Sequence, residues 1–207
     1  EVSMAAAAVS ITDTGATKTQ VDAVNLFTTG TVTPTSISED RADIATLSTT
    51  AGVSIATTDI TVTDQVSKSQ ADTINGYTTG QVVLNSVSAT VTELAAIEAL
   101  NDNVMKFADD GAISVSDAAT KANADTINNY TTGQVTLTTV EDTVANITAI
   151  DALTTTQVSM AAAAVTATNA ATKANADTLN GYTTGQVTLN SVADTVANIT
   201  LIDGLTT

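Results

Sequence analysis

Apolar and polar residues alternate in eight short stretches of the chain. Each stretch places β-branched residues and Ser or Thr at alternate positions, which is the pattern of a strand with one buried face. The stretches start alternately 22 or 23 and 28 to 31 residues apart. The pattern predicts eight strands, at Val9–Asp13, Val32–Thr33, Ile60–Asp64, Val82–Asn85, Ile113–Asp117, Val135–Thr138, Val165–Asn169 and Val187–Asn190.

Helical periodicity follows the second strand of each pair, although Arg41 interrupts the stripe of Ile37, Ile44 and Leu47 in the first repeat. Apolar residues recur there in steps of three and four, which places them in one stripe along a helix. The stripes are Val87, Val91, Leu94, Ile97 and Leu100; Val140, Val144, Ile147, Ile150 and Leu153; and Val192, Val196, Ile199, Ile202 and Leu205. A shorter helix follows the first strand of each pair and ends near Asn75-Gly76 or Asn180-Gly181, because Gly and Asn favour helix C-termini.

Hydroxyl residues just before the longer helices predict where those helices begin. Ser and Thr are favoured N-caps because their side chains accept hydrogen bonds from free backbone amides. We expect N-caps at Ser36, Ser86, Thr139 and Ser191. Acidic residues stand three positions further on, close to a capping box, at Glu39, Asp142 and Asp194.

Four copies of one sequence unit account for the whole chain. An aromatic residue followed by Thr-Thr-Gly occurs at Phe27–Gly30, Tyr77–Gly80, Tyr130–Gly133 and Tyr182–Gly185, with the glycines 50, 53 and 52 residues apart. A unit of this length buries its apolar face by stacking on its neighbours. We therefore predict an α/β solenoid of about eight strand–helix coils with a stacked parallel sheet on one face. Its repeats are residues 1–51, 52–104, 105–156 and 157–207.

The composition agrees with a thin core and excludes several kinds of chemistry. The 207 residues include 44 Thr and 35 Ala but only 2% aromatic residues, so Val, Ile, Leu and Ala must fill the core. The absence of Cys and His excludes disulfides, thiolate nucleophiles and imidazole bases. A net charge of −16 argues against nucleic acids and anionic membrane surfaces as partners. No stretch is apolar enough to predict membrane insertion.

Acidic residues after the first strand of each repeat are the main candidates for a metal site. A column of such carboxylates could bind Ca²⁺ between coils, since Ca²⁺ requires several oxygen ligands. The residues are Asp13, Asp64 and Asp117, with Asn169 in the fourth repeat. Asp109 and Asp110 form the best single loop for an ion. A structural role in turns and helix caps is the favoured alternative, because EF-hand spacing is absent. We expect no other cofactor.

Two further repeated features are interpreted as structural. Lys and Asp recur four residues apart on the shorter helix, where surface ion pairs are expected rather than catalytic lysines. These pairs are Lys18/Asp22, Lys68/Asp72, Lys121/Asp125 and Lys173/Asp177. The paired threonines of the Thr-Thr-Gly motif suggest an ice-binding face, although Thr as an ordinary strand residue is favoured. No acidic pair outside the repeats indicates a glycosidase, and we predict that the chain is not an enzyme.

The stretches Val140–Leu153 and Val192–Leu205 both contain the pattern V-x-D-T-x-A-N-I. They resemble repeats of very large bacterial surface and secreted proteins, particularly adhesin-like proteins of cyanobacteria and proteobacteria, and Thr-rich repeats of phage fibres. The second repeat departs from the pattern, because Val87–Leu94 lacks the Asp-Thr and Ala-Asn pairs, and the first repeat departs further. The resemblance implies a stalk or surface array without catalytic residues.

Together, these features predict an extracellular or cell-surface structural segment. We expect an acidic rod that serves as a stalk, filament or surface-layer element, with copies of itself or adjacent repeats as end-to-end partners. The alternative is a binding module of an adhesin or phage fibre that recognises glycans or ice. Glu1 and Thr207 fall at matching points of the repeat. We therefore expect part of a longer array or a subunit that stacks end to end.

Overall fold

Strands and helices alternate along the chain in a computed structural model, which describes residues 4–100, 104–155 and 157–203. These residues contain the strands β1 (Val9–Ile11), β2 (Val32–Pro34), β3 (Ser36–Glu39), β4 (Asp59–Val66), β5 (Val82–Ala89), β6 (Met105–Ala119), β7 (Val135–Asp142), β8 (Val158–Ser159), β9 (Ala164–Ala171) and β10 (Val187–Val192). They also contain the α-helices α1 (Lys18–Asn25), α2 (Arg41–Thr49), α3 (Lys68–Asn75), α4 (Val91–Glu98), α5 (Lys121–Asn128), α6 (Val144–Asp151), α7 (Lys173–Tyr182) and α8 (Val196–Asp203). All eight predicted strands are present.

The strands are parallel, and the chain divides into two compact units. The first unit comprises Glu1–Ser88 and Glu93–Gly111, and the second comprises Ala89–Thr92 and Ala112–Thr207. The sheet has the strand order β10-β9-β7-β6-β5-β4-β3 with β8 beside β7, while β1 pairs with β2. The predicted α/β class with a parallel sheet is confirmed. We call each of the eight predicted strands, together with the helix that follows it, a segment.

The second strand of a repeat pairs with the following repeat in two places, one along its first half and one along its second half. In the second unit, Val135 of β7 lies opposite Val158 of β8, whereas Val140 lies opposite Val165 of β9. The next long strand therefore starts five residues further along the strand direction, a stagger of about 16 Å for each repeat. The first unit repeats this arrangement, with Val32 opposite Val53 and Ile37 opposite Ile60.

This stagger matches the strand spacing to the helix spacing. Neighbouring strands lie about 4.8 Å apart, whereas packed helices need about 8–10 Å. Two strand steps and a stagger of about 16 Å combine to about 19 Å per repeat, or about 9 Å per segment. Successive helices of the second unit are in contact in that order, α5 with α6, α6 with α7 and α7 with α8.

The stagger also explains the alternating strand spacing in the sequence. After α6 the chain first forms β8 against the first half of β7, and then β9 against the second half. The longer spacing therefore contains an additional short strand, which the alternation pattern does not predict. In the third repeat the short and long strands are continuous as β6, which has 15 residues.

The predicted N-caps of the longer helices are wrong, because all four lie inside strands. They are Ser36, Ser86, Thr139 and Ser191. Val140 fits a helical step to Val144 as well as the alternation of β7, and its pairing with Val165 places it in the strand. The helix begins instead at Val144, with Thr143 as its N-cap.

The core lies between one face of the sheet and the helices. Inward-facing strand residues such as Val62 and Leu84 are fully buried, as are Ile147 and Ile150 of α6. Val, Ile, Leu and Ala supply nearly all of the core, as the composition predicts. The larger buried residues are Met105, Phe107 and Met160.

The Thr-Thr-Gly motif fastens each turn to the preceding segment. Its first Thr is buried, and its hydroxyl donates to a backbone carbonyl at 2.5–2.7 Å, from Thr28 to Ala7, Thr78 to Thr58 and Thr183 to Ala163. The same hydroxyl accepts the N–H of the motif's Gly, at 2.9 Å in Gly185. A Cβ atom at Gly185 would overlap the carbonyl oxygen of Ala163, so only Gly permits this approach.

Parts of the sequence predictions lie outside the described residues. These are the stripe residue Leu205, the repeat start at Glu1–Ser3 and the repeat end at Thr206-Thr207. In the part of the chain that is described, every helix is too short or too polar to cross a membrane.

Replacing Gly185 with Ala tests the close approach of the Thr-Thr-Gly turn. We expect Gly185→Ala to lower the free energy of unfolding by about 1–3 kcal/mol, because the backbone of Ala163 must move. Gly181→Ala is the matched control, since a Cβ there meets nothing within 4 Å and the residue lies in α7. It should be neutral or stabilise by up to about 1 kcal/mol. Urea denaturation measures both, and equal effects would contradict the assignment.

Candidate functional site

β-Bulges hold the polar residues Asp64, Asp117 and Asn169 in the first long strand of the second, third and fourth repeats. The register between β4 and β5 shifts between Val62 and Gln65. Equivalent shifts occur in the pairs β6–β7 and β9–β10. Each shift places one extra residue in the first strand, and Asp64, Asp117 and Asn169 lie in these bulges. A bulge turns a side chain out of the regular strand alternation.

The bulge side chains cap the helix of the preceding segment. Each Oδ1 atom accepts the N–H of the first residue of that helix at 2.8–2.9 Å, from Arg41 to Asp64, Val91 to Asp117 and Val144 to Asn169. The first amides of a helix have no partner inside the helix, and a carboxylate there also meets the positive end of the helix dipole. The hydrogen bonds therefore show that Asp64, Asp117 and Asn169 have the structural role of helix caps.

Acidic residues at the ends of the second strands make the same contact with the shorter helices. Asp142 accepts the N–H of Lys121 and Asp194 accepts the N–H of Lys173, both at 2.8 Å. The pair made by Lys18 and Glu39 has the same form. The predicted capping boxes are wrong for Glu39, Asp142 and Asp194, because the predicted N-caps lie in strands and these carboxylates accept the first amide of the preceding helix. The equivalent position of the second repeat is Ala89.

Several donors converge on the carboxylates of Asp142 and Asp194 and lower their pKa values. Burial alone would raise the pKa of Asp142, but hydrogen bonds from the Lys121 amide, the Asn146 side chain and the Thr143 amide outweigh it and lower the pKa. In Asp194 the pKa is lowered mainly by the Lys173 amide, then by the Asn198 side chain and the Thr195 amide. Both groups therefore stabilise the fold in the charged form.

The candidate calcium residues do not form a common site in the described part of the chain. No group of three or more acidic side chains there could hold a metal ion. Asp109 and Asp110 are exposed and lie within β6 rather than in a loop, and a calcium role for them stays a prediction. Asp13 is exposed, and its carboxylate has no hydrogen bond or ion pair with another described residue. A calcium role for Asp13, Asp64 or Asp117 stays a prediction.

The four predicted Lys–Asp ion pairs are all formed. Their N–O distances are 2.5–2.7 Å, and the Asp side chains are 39–50% exposed. Exposed pairs of this kind contribute about 0.3–0.5 kcal/mol each on a helix. They support the shorter helices and have no arrangement that indicates catalysis.

Capping boxes begin the shorter helices, and they were not predicted from the sequence. The N-cap hydroxyl accepts the backbone N–H of the residue three positions on, whose side chain accepts the N-cap N–H in return. The pairs are Thr17/Gln20, Ser67/Gln70, Thr120/Asn123 and Thr172/Asn175. The signal was available, because Ser or Thr precedes each repeated Lys directly and Gln or Asn follows two residues after it.

Hydroxyl side chains form short rows on the face of the sheet opposite the core. Ser114, Thr136 and Ser159 lie in register on β6, β7 and β8. Thr166 lies opposite Thr188 on β9 and β10, and Glu141 lies opposite Thr166 on the other side. The rows are therefore regular, but a carboxylate interrupts them.

Removing Asp142 tests the caps between segments. We expect Asp142→Ala to lower the free energy of unfolding by about 1.5–3 kcal/mol, because three hydrogen bonds to one charged group are lost. Asp125→Ala is the matched control, since Asp125 binds the side chain of the same Lys121 whose amide Asp142 caps. Its effect should stay within about 0.5 kcal/mol. Urea denaturation compares the two, and similar losses would refute the cap.

The lowered pKa values of Asp142 and Asp194 predict a specific loss of stability in acid. A lowered pKa stabilises the fold above the ordinary value of 3.8, and the contribution is lost as the pH falls through the lower folded pKa. The variant Asp142→Asn/Asp194→Asn cannot titrate at these positions. Its stability difference from the natural chain should be constant above about pH 5 and disappear towards pH 2. A difference that is independent of pH from 7 to 2 would contradict the pKa shifts.

No protein-family model, no curated protein and no solved structure matches the chain. The resemblance to adhesin-like repeats therefore stays a prediction from sequence motifs. A function must be inferred from the hydrogen bonds that each segment supplies to the helix of the preceding segment.

Proposed function

We propose that the chain is a structural repeat segment whose coils stack as a solenoid and whose four repeats form one stiff acidic rod. The observation that carries the proposal is the pattern of caps between segments. Helices such as α5, α6 and α7 each receive the acceptor for their first amide from the segment that follows. Side chains devoted to stacking in every repeat favour a mechanical role.

The rod serves as a stalk, filament or surface-layer element outside the cell. Its net charge of −16 keeps neighbouring rods apart in solution. The resemblance of its last two repeats to adhesin-like surface proteins supports this location. Its partners are adjacent repeats or copies of the chain, joined end to end, and we expect it to have no catalytic activity.

A second candidate function is a binding module of an adhesin or phage fibre that holds ice or a glycan. The hydroxyl rows of the second unit favour it, because Ser114, Thr136 and Ser159 present a regular array of donors and acceptors. Thermal hysteresis, or glycan binding that Thr136→Val removes, would support this candidate.

Distances between spin labels test the solenoid directly, and the absence of native Cys makes labelling clean. The exposed residues Ala23, Thr73, Thr126 and Thr178 occupy the same position in α1, α3, α5 and α7. We expect about 19 Å between labels at Ala23 and Thr73, and again at Thr126 and Thr178, since each pair spans one repeat. A stack without stagger would give about 10 Å.

The pair Ala23→Cys/Thr178→Cys then tests the continuous rod. Three repeats in one stack predict a narrow distribution near about 57 Å. The two pairs that each span one repeat are the controls, because they report the stagger alone. A broad or much shorter distribution for the long pair, with the short pairs as expected, would overturn the rod.

A further inference from the structure

The apolar residues of the last segment are less buried than their equivalents in the preceding repeat. Val135, Leu137 and Val140 of β7 are fully buried between strands on both sides. Their equivalents Val187, Leu189 and Val192 are half-buried in β10, which pairs only with β9 among the described strands. A further strand beside β10 would therefore bury these residues as their equivalents in β7 are buried.

The last helix lacks the same neighbour. Ile147 of α6 is fully buried, whereas the equivalent Ile199 of α8 is 43% exposed. The first amide of α6, from Val144, donates to Asn169 of the next segment. The first amide of α8, from Val196, has no acceptor in the described part of the chain.

The first segment contains a strand and a carboxylate of the kind that are missing beside β10. Val9 and Asp13 precede Val165 and Asn169 by 156 residues, three repeats of 52, and hold the same places in the repeat. β1 pairs only with β2 among the described strands, and the exposed carboxylate of Asp13 is without a described partner. A carboxylate is also a stronger acceptor than the amide oxygen of Asn169.

We propose that β10 of one copy pairs in parallel with β1 of a second copy, and that Asp13 of the second copy caps α8 of the first. The register follows the internal pairing of Val140 with Val165, which places Val192 opposite Val9 and Ala193 opposite Ser10. This pairing rests on the proposed function, since it continues the same stack of segments across two molecules. Unpaired strand edges are natural templates for such addition.

Disulfide formation tests the register. Ala193 and Ser10 are both exposed, and Cys residues opposite each other on neighbouring strands lie within the 4.4–6.8 Å that a disulfide spans between Cα atoms. We expect a mixture of Ala193→Cys and Ser10→Cys chains to give a covalent dimer under mild oxidation. Thr12→Cys replaces Ser10→Cys as the control, because it lies about 7 Å further along the strand. Equal dimer yields in the two mixtures would overturn the register.

A double-mutant cycle tests the cap. Asp13→Ala removes the acceptor, and Val196→Pro removes the donor at a helix position that tolerates Pro. Each should weaken end-to-end association in analytical ultracentrifugation by at least about ten-fold, since a hydrogen bond to a charged group is lost. The combined variant should be no weaker than either single variant. Independent, multiplying effects would refute the contact.

Two measurements distinguish this inference from the proposed function. They are the salt dependence of association between copies and the label distances in the monomer. Copies with a charge of −16 repel one another, so association should strengthen between about 0.05 and 0.5 M NaCl as screening increases. A chain that stays monomeric at 0.5 M salt, yet shows the expected label distances, would overturn the pairing of copies and leave the solenoid intact. Label distances that fail in the monomer would overturn the solenoid itself.

Discussion

The spacing of strands and the spacing of helices must be reconciled within every segment of this chain. Strands in a sheet lie about 4.8 Å apart, and packed helices lie about twice as far apart. The five-residue step from Val135 to Val140, which pair with β8 and β9 respectively, lengthens the path from one segment to the next. The short strand β8, the two pairing halves of β7 and the longer spacing in the sequence all follow from this step.

The same step leaves helix ends beside strands of the next segment, where polar side chains can reach them. A bulge directs Asn169 to the first amide of α6, and the end of β10 directs Asp194 to the first amide of α7. The Thr-Thr-Gly turn adds a contact on the other side of the segment, where Thr183 binds the carbonyl of Ala163. Each segment therefore depends on its neighbours for backbone hydrogen bonds as well as for apolar burial, which accounts for the uniform repetition of small polar residues.

Periodicity predicted the eight strands, the α/β class and the Lys–Asp pairs, because these depend on local patterns within one repeat. It failed at Val140, where a helical step and strand alternation coincide and only pairing with Val165 decides. It also missed the partners of Asp64 and Asp142, since a carboxylate that caps a helix 21 or 23 residues earlier has no local signature. The bulges share this property, because register is a relation between two strands.

Hydrogen exchange at the first amide of each helix is the most direct test of the claim that segments complete one another. The first amides of an isolated helix exchange freely because they have no partner within it. Residue-resolved NMR of the monomer should find the amides of Lys121, Val144 and Lys173 strongly protected and that of Val196 unprotected. Exchange of Val144 as fast as that of Val196 would contradict the account.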